Sequence, residues 1–348
     1  MMERRLRAMP TVVQRPRRPP MGMRRPRQLP TRRIRARRRM SPAPKRARRR
    51  AGGPQVPMFD ALVIAYLFLG GTGAALGGLL GLLTLGQVLG LGESGRGQHL
   101  NGLSSGQHRR FFGFGNVLAA AVCLLGAVCL LFDMERPDKV LVLLTSPNTS
   151  LVAMGAYSLG AVLLLSALAG VLHLHRRTLP PAAGALLCAA QLVAACVTMT
   201  YTALLLMGFR AVAFFQTWAL VGLFFCSSAS CGLALATLTG MVLRVFPLER
   251  GHERTAAAEA ALSLLEGLFL VLFMIHAHYA APQAFAQLAT GPLAWAFWTV
   301  VVGCGVASPV AAWALPRFVR GYRLHGGLSP ALVLLAGFAL RFCVIAVV

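Results

Sequence analysis

Acidic side chains are scarce in this sequence: ten Asp and Glu stand against 35 Lys and Arg in 348 residues, giving a net charge of +25. Charge of either sign is also sparse, at 13% of the chain beside 56% hydrophobic residues. Position reconciles the two figures. Residues 1–50 hold 20 of the basic side chains, whereas residues 51–348 hold the other 15 against nine acids. The chain is thus a very basic leader joined to a very apolar body. Long polar stretches are missing from the body, which excludes a large soluble domain. Paired cysteines are missing as well. All eight, Cys123, Cys129, Cys188, Cys196, Cys226, Cys231, Cys304 and Cys343, fall in apolar segments without a C-x-x-C, which argues against zinc or iron–sulfur ligation and for small buried packing residues.

The body consists of eight apolar stretches, approximately 59–84, 112–132, 150–172, 181–208, 213–243, 256–280, 292–315 and 327–348. Each is long enough to cross a hydrocarbon layer of ~30 Å, which takes about 20 helical residues. Runs of this kind are predicted to be helices, because an open sheet in lipid leaves backbone donors unpaired. The fold expected is an all-α integral membrane domain over residues 58–348 with eight transmembrane helices. The preceding segment, 1–57, is rich in Arg and Pro and is expected to be disordered.

The short connections carry most of the charge and set the orientation. Connections 1–2, 3–4, 5–6 and 7–8 hold eleven Lys and Arg, and the alternate ones hold three, Arg136, Lys139 and Arg210. Both termini are therefore predicted outside the cytoplasm. The leader opposes this, since 20 positive charges before the first helix favour an inside N-terminus. Three readings of it stay open: a start placed too far upstream, with Met40 and Met58 as internal alternatives; a tail binding anionic lipid or nucleic acid; or a targeting segment.

The stretch "YLFLGGTGAALGGLLGLL" (66–83) contains Gly71-x-Gly73-x-x-x-Gly77 directly after an apolar run. A dinucleotide loop needs a strand, a tight turn and an exposed helix start. Here the apolar run continues unbroken, so the glycines read as a small-xxx-small face. Gly73, Gly77 and Gly81 recur every four residues and should let a neighbouring helix approach closely. Haem ligation fails on geometry: His173 and His175 end helix 3 at one membrane face, and His276 and His278 end helix 6 at the other. Asp60, Tyr66, Tyr201, Arg210, Glu259, Glu266 and Arg341 complete the polar groups within spans, where such residues are costly and often functional. Of these, Asp60, Tyr201 and Arg210 fall towards the outer face with His276 and His278.

The stretches "YLFLGGTGA" (66–74), "DMERPDKVLVLLTSPNTS" (133–150), "MGAY" (154–157), "YTALLLMGFRAVAFF" (201–215) and "LFFCSSASCGLAL" (223–235), taken in order, resemble the NrfD-like family. This is the membrane anchor subunit of polysulfide-reductase and dimethyl-sulfoxide-reductase type complexes. The resemblance implies two four-helix bundles and a quinone site at the outer side, with no haem, metal or iron–sulfur cluster in this chain. It implies electron exchange between membrane menaquinone or ubiquinone and a ferredoxin-like 4Fe-4S subunit, which connects to a molybdopterin catalytic subunit. The chain itself would then not be catalytic alone, would reside in the bacterial cytoplasmic membrane among its lipids, and would bind no nucleic acid.

In that picture Tyr201 matches the family tyrosine near the quinone head group. Tyr66, Asp60, His276 and His278 are the other candidates for contact with quinone or its protons. Asp133, Arg136 and Pro137 match the family's Asp-Leu-Gly-Arg-Pro loop and are candidates for partner docking, although Glu135 replaces the glycine. Met154 stands where the family often has arginine, and helix 1 lacks the Asn and His of some members. "LFLGGTGA" in helix 1 and "LFFCSSAS" in helix 5 align, which suggests a duplicated four-helix unit. Two other classes are weighed beside the anchor: a secondary transporter with helices interrupted at corresponding positions, and a structural anchor without quinone chemistry.

Overall fold

The computed structural model describes residues 58–89, 105–133, 151–175, 179–210, 212–245, 251–314 and 325–347. The basic leader lies outside them, as do most of the charged connections.

Nine helices make up the described residues. They are α1 (Met58–Val88), α2 (Ser105–Asp133), α3 (Leu151–Leu174), α4 (Pro181–Met207), α5 (Trp218–Val242), α6 (Gly251–Ala280), the short α7 (Pro282–Ala289), α8 (Ala296–Ala307 continuing as Ser308–Ala314) and α9 (His325–Ala346). Eight of them, all but α7, are long and apolar enough to cross a membrane. No strand occurs among the described residues. The eight apolar stretches thus form the eight spans expected of them.

Local chemistry sets the helix ends. Pro181 opens α4, where its missing N–H costs nothing. Thr217 caps α5 by accepting a hydrogen bond from Ala219 N at 3.3 Å. Arg244, at φ 51°, closes the same helix; Val245 N donates to Gly240 O and Arg244 N to Met241 O, the pairing of a left-handed helix stop. Within the spans, Thr84, Thr198, Thr200, Thr237 and Thr239 donate to the carbonyl four residues back, which satisfies hydroxyls that lipid cannot.

Helices α1 to α4 pack in a ring, and α5, α6, α8 and α9 pack in a second one. α1 and α5 join them, lying against each other and against α9 and α4. Their positions show in their burial: 67% of the α1 window and 61% of the α5 window are inside, against 28–44% for the other six spans. The outward faces are apolar too, with Leu164, Leu186 and Val193 exposed, as a lipid environment allows.

Packing of α1 depends on its missing side chains. A Cβ on Gly73 would lie 2.9 Å from Cys123 N and 3.2 Å from Ala119 O, both on the α2 backbone. One on Gly77 would lie 2.7 Å from Ser166 Oγ of α3, and one on Gly81 would lie 3.2 Å from Cys188 O of α4. The three glycines serve three neighbours rather than one, so the stripe spirals through the middle of the first ring. The eight cysteines are free, and five of them are buried packing residues, Cys123 directly against Gly73.

Candidate functional site

Two phenols meet inside the first ring. Tyr66 is eight residues into α1 and Tyr201 is six residues before the end of α4. At 1.5 Å per residue, both lie about 9–12 Å from the bundle end at which α1 begins. Their side chains are 3% and 2% exposed, and the hydroxyls face one another.

Glycine makes room for the Tyr201 ring. That ring lies against Gly155 of α3, where any Cβ would overlap it. At Gly70, one turn beyond Tyr66 on α1, an added Cβ would be in ordinary van der Waals contact with the Tyr66 ring, so Tyr66 does not depend on a glycine in the same way. The Tyr66 hydroxyl, shut off from solvent, makes no well-formed hydrogen bond, and the polar group it meets is the Tyr201 phenol. Leaving a buried hydroxyl unpaired costs about 1–3 kcal/mol. A free phenolic donor beside a second phenol suits an acceptor oxygen of a small ligand, and in this apolar setting a carbonyl fits better than an anion.

Below the phenols, towards the other end of the bundle, the first ring holds an amide cluster. Gln191 Nε2 donates to Asn116 Oδ1 at 2.8 Å and to Ser166 Oγ at 3.0 Å, and Asn116 Nδ2 donates to Phe112 O at 2.8 Å. These bonds tie α2, α3 and α4 together around Gly77. Nearer that end, His108 bonds Gln87 at 3.0 Å and stacks on Phe112, which also contacts Phe111 and His173. The amides are paired with one another, so they hold the ring shut rather than presenting a free group.

On the far side of α1 lies a buried cation. Arg341 of α9 is 0% exposed. Its Nη2 donates to Ser228 Oγ at 2.8 Å, Nη1 to Gly337 O at 2.7 Å and to Ser227 Oγ at 3.4 Å, and Nε to Leu67 O at 3.3 Å. The guanidinium also lies 5.7 Å from the Phe68 ring centre and 5.3 Å from that of Phe224. Dipoles, aromatic faces and the nearby Glu266 carboxyl therefore balance its charge, as they must in a dry interior.

The other sequence candidates fall elsewhere. Asp60 is in the first turn of α1, and its side chain lies outside the described residues. His276, half-buried near the end of α6, bonds Ala213 O at 3.2 Å and so fastens the 3-10 turn Ala213–Phe215 between α4 and α5. His278 is exposed, with edge contacts to Tyr279 and Phe285. None of these contacts reaches Tyr66 or Tyr201, so the phenol pair is a site of the first ring and both histidines belong to the second. Asp133 closes α2, but its side chain and the rest of the loop with Arg136 and Pro137 lie outside the described residues.

An apolar groove of about 480 Å³ runs between α2 and α5, lined by Phe114, Val117, Leu118, Leu235, Leu238 and Val242 among others. It lies towards the bundle end opposite the phenols and offers hydrocarbon contacts rather than polar ones, so it suits a lipid chain and not a head group.

Sequence reading passed over Gly155 as the floor under Tyr201, and over Asn116 and Gln191. The signal for the last two was present, since an amide in mid-span needs a partner. For Gly155 the signal, a glycine in "MGAY", has no meaning until α4 is placed against α3.

A protein-family model described as "Polysulphide reductase, NrfD" matches residues 52–348. No curated protein matches the chain.

Proposed function

Because the chain belongs to the NrfD family, whose members are membrane anchors of molybdopterin oxidoreductase complexes, we propose that it carries electrons between membrane quinone and an iron–sulfur subunit, with the Tyr66–Tyr201 pair as its quinone site. The observation that supports this most is the buried Tyr66 hydroxyl, which meets the Tyr201 phenol and makes no well-formed hydrogen bond.

Quinone supplies the two-electron, two-proton chemistry. The residues of this chain bind and orient. Tyr201, braced on Gly155, presents its phenol O–H to a quinone oxygen. Tyr66 supplies a second O–H, and two donors aimed at one oxygen stabilise charge as it develops there. The apolar walls of the first ring exclude water, which strengthens both hydrogen bonds. Asp60, near the same end of α1, is the nearest carboxylate in sequence for proton exchange with solvent, and no role in the site is assigned to His276 or His278.

Menaquinone and ubiquinone both present such a carbonyl. The partners are a ferredoxin-like 4Fe-4S subunit, docked at the loop with Asp133, Arg136 and Pro137, and a molybdopterin subunit beyond it. The membrane is the bacterial cytoplasmic one. The basic connections face inwards, so both termini and the phenol pair lie towards the outer side. A transporter would need helix breaks at matching positions. The π-helical stretch Ala296–Ala307 of α8, the seventh span, has no counterpart in α3, the matching third span, which is α-helical from Leu151 to Leu174.

Purification of the chain with co-encoded subunits, followed by solvent extraction and quinone analysis, tests this reading. A bound quinone retained in the wild type and lost in Tyr66→Phe with Tyr201→Phe supports it. Absence of both quinone and an electron-transfer partner sinks it.

A further inference from the structure

The apolar groove between α2 and α5 has a charged mouth that the phenol site does not use. On α2 it is lined by Phe114, Val117, Leu118 and Ala121, and Arg110 stands one turn before Phe114. Residues 110, 114, 117, 118 and 121 share one helix face, so Arg110 heads the stripe that forms this wall. On α5, Leu235, Leu238, Thr239 and Val242 form the facing wall with the same spacing, and Arg244 follows it.

The helix stop at Arg244 brings the two arginines to one end of the groove. At φ 51° the chain turns out of α5, and Val245, 2% exposed, packs into the buried cluster that holds Phe111 and Phe112 of α2. Arg244 is the chain neighbour of Val245, and Arg110 is the chain neighbour of Phe111. Leu118, Leu235 and Leu243 lie against the same cluster and form the floor of the groove. Arg110 and Arg244 are both exposed, and neither side chain has an ion pair or hydrogen bond among the described residues.

Beyond the arginines the groove offers hydrocarbon contacts alone. The hydroxyl in its lining, that of Thr239, is spent on Leu235 O at 2.7 Å. Its rim is open to lipid, with Phe114 48%, Val117 40% and Val242 81% exposed. Its volume of about 480 Å³ falls within the ~300–1,000 Å³ of small-molecule sites. A neutral apolar ligand would fill the walls and leave both cations uncompensated. A soluble anion would meet the cations and leave the walls bare. An occupant with a hydrocarbon chain and an anionic phosphate at one end uses both.

We propose that the groove is a binding site for an anionic phospholipid of the leaflet at which α2 begins and α5 ends, with an acyl chain between the two helices and the phosphate at Arg110 and Arg244. Arginine suits this place, because its stem lies along an apolar wall while its planar head gives paired N–H groups to phosphate oxygens. α2 belongs to the first ring and α5 to the second, so the bound chain packs against both and fills the seam between them. The site lies at the bundle end opposite the phenol pair, and it stands whether or not that pair binds quinone.

Native mass spectrometry of the full chain released from mild detergent, titrated with dioleoyl phosphatidylglycerol or dioleoyl phosphatidylcholine, tests the proposal. The two probes share their acyl chains and differ in net charge. The expected result is a tightly held phosphatidylglycerol that phosphatidylcholine does not match. An arginine near an anionic lipid is worth about fivefold in affinity, so Arg110→Gln with Arg244→Asn should weaken phosphatidylglycerol by about 25-fold. Asn is chosen at 244 because it accepts a left-handed backbone. Ala121→Trp, on the open rim, fills the groove and should displace both lipids, whereas Arg210→Gln at the other end of the bundle should leave the preference intact. Should the double variant fail to fold, phosphatidylglycerol with a diazirine in its acyl chain, photolysed on the wild type, should label Phe114, Val117 or Leu238. Equal affinity for the two lipids, an undiminished preference in the double variant, or labelling away from the groove overturns the proposal.

Discussion

Replacing Gly155 by alanine places a methyl group in the space occupied by the Tyr201 ring, although neither phenol is altered chemically. Carbon atoms in contact need about 3.5–4.0 Å, so the ring has to withdraw by about 1 Å or more. The neighbour that must yield is the body of a buried ring on α4, not the free end of a flexible chain. Overpacking of this kind costs about 1–3 kcal/mol of stability. The effect on function is larger, since a displacement of ~1 Å in a positioning group lowers turnover by about 10²-fold. Gly160→Ala is the control, five residues along the same helix, where an added Cβ meets nothing within 4 Å. The assay is quinol-analogue oxidation by the assembled complex, with subunit content checked for each variant. Equal turnover in Gly155→Ala and Gly160→Ala would refute the placement of Tyr201 in the site.

Other outcomes follow from the same contacts. Gly73→Ala forces α1 away from the α2 backbone and should cost about 1–3 kcal/mol in detergent unfolding, whereas Gly86→Ala, with open space around it, should be neutral or stabilising by up to about 1 kcal/mol; equal midpoints would contradict the close-approach reading. Arg341→Lys keeps the charge but loses the fork to Ser227, Ser228 and Leu67 O, and should cost about 2–5 kcal/mol by denaturant titration. His276→Ala removes the bond to Ala213 O and should cost about 1 kcal/mol with quinol turnover unchanged. A large loss of turnover in that variant would bring His276 into the site.

The spans were legible because lipid makes one demand of every backbone group, and composition alone reports whether it is met. The stripe of Gly73, Gly77 and Gly81 was legible as a packing face for the same reason. That it serves three neighbours was not, because spacing along one helix does not say which helices surround it. Tyr201 stood out through the family resemblance, and Tyr66 as a polar group in a span. Their meeting depends on the rotation of α1 and α4, which apolar stretches with little asymmetry around the helix leave undetermined. Arg341 and Glu266 were visible as ionisable groups without assigned partners. Those partners, Ser227, Ser228 and Leu67 O, are more than a hundred residues from Arg341 in the chain.

Quinol oxidation by the complex carrying Tyr201→Phe, measured beside Tyr66→Phe and the wild type, bears most directly on the central claim. The substitution removes one hydroxyl from a ring that stays braced on Gly155, so folding should survive it. Loss of one donor aimed at developing charge predicts a fall in turnover of about 10²-fold for Tyr201→Phe. Wild-type turnover in both variants would contradict the account and move the site away from the phenol pair.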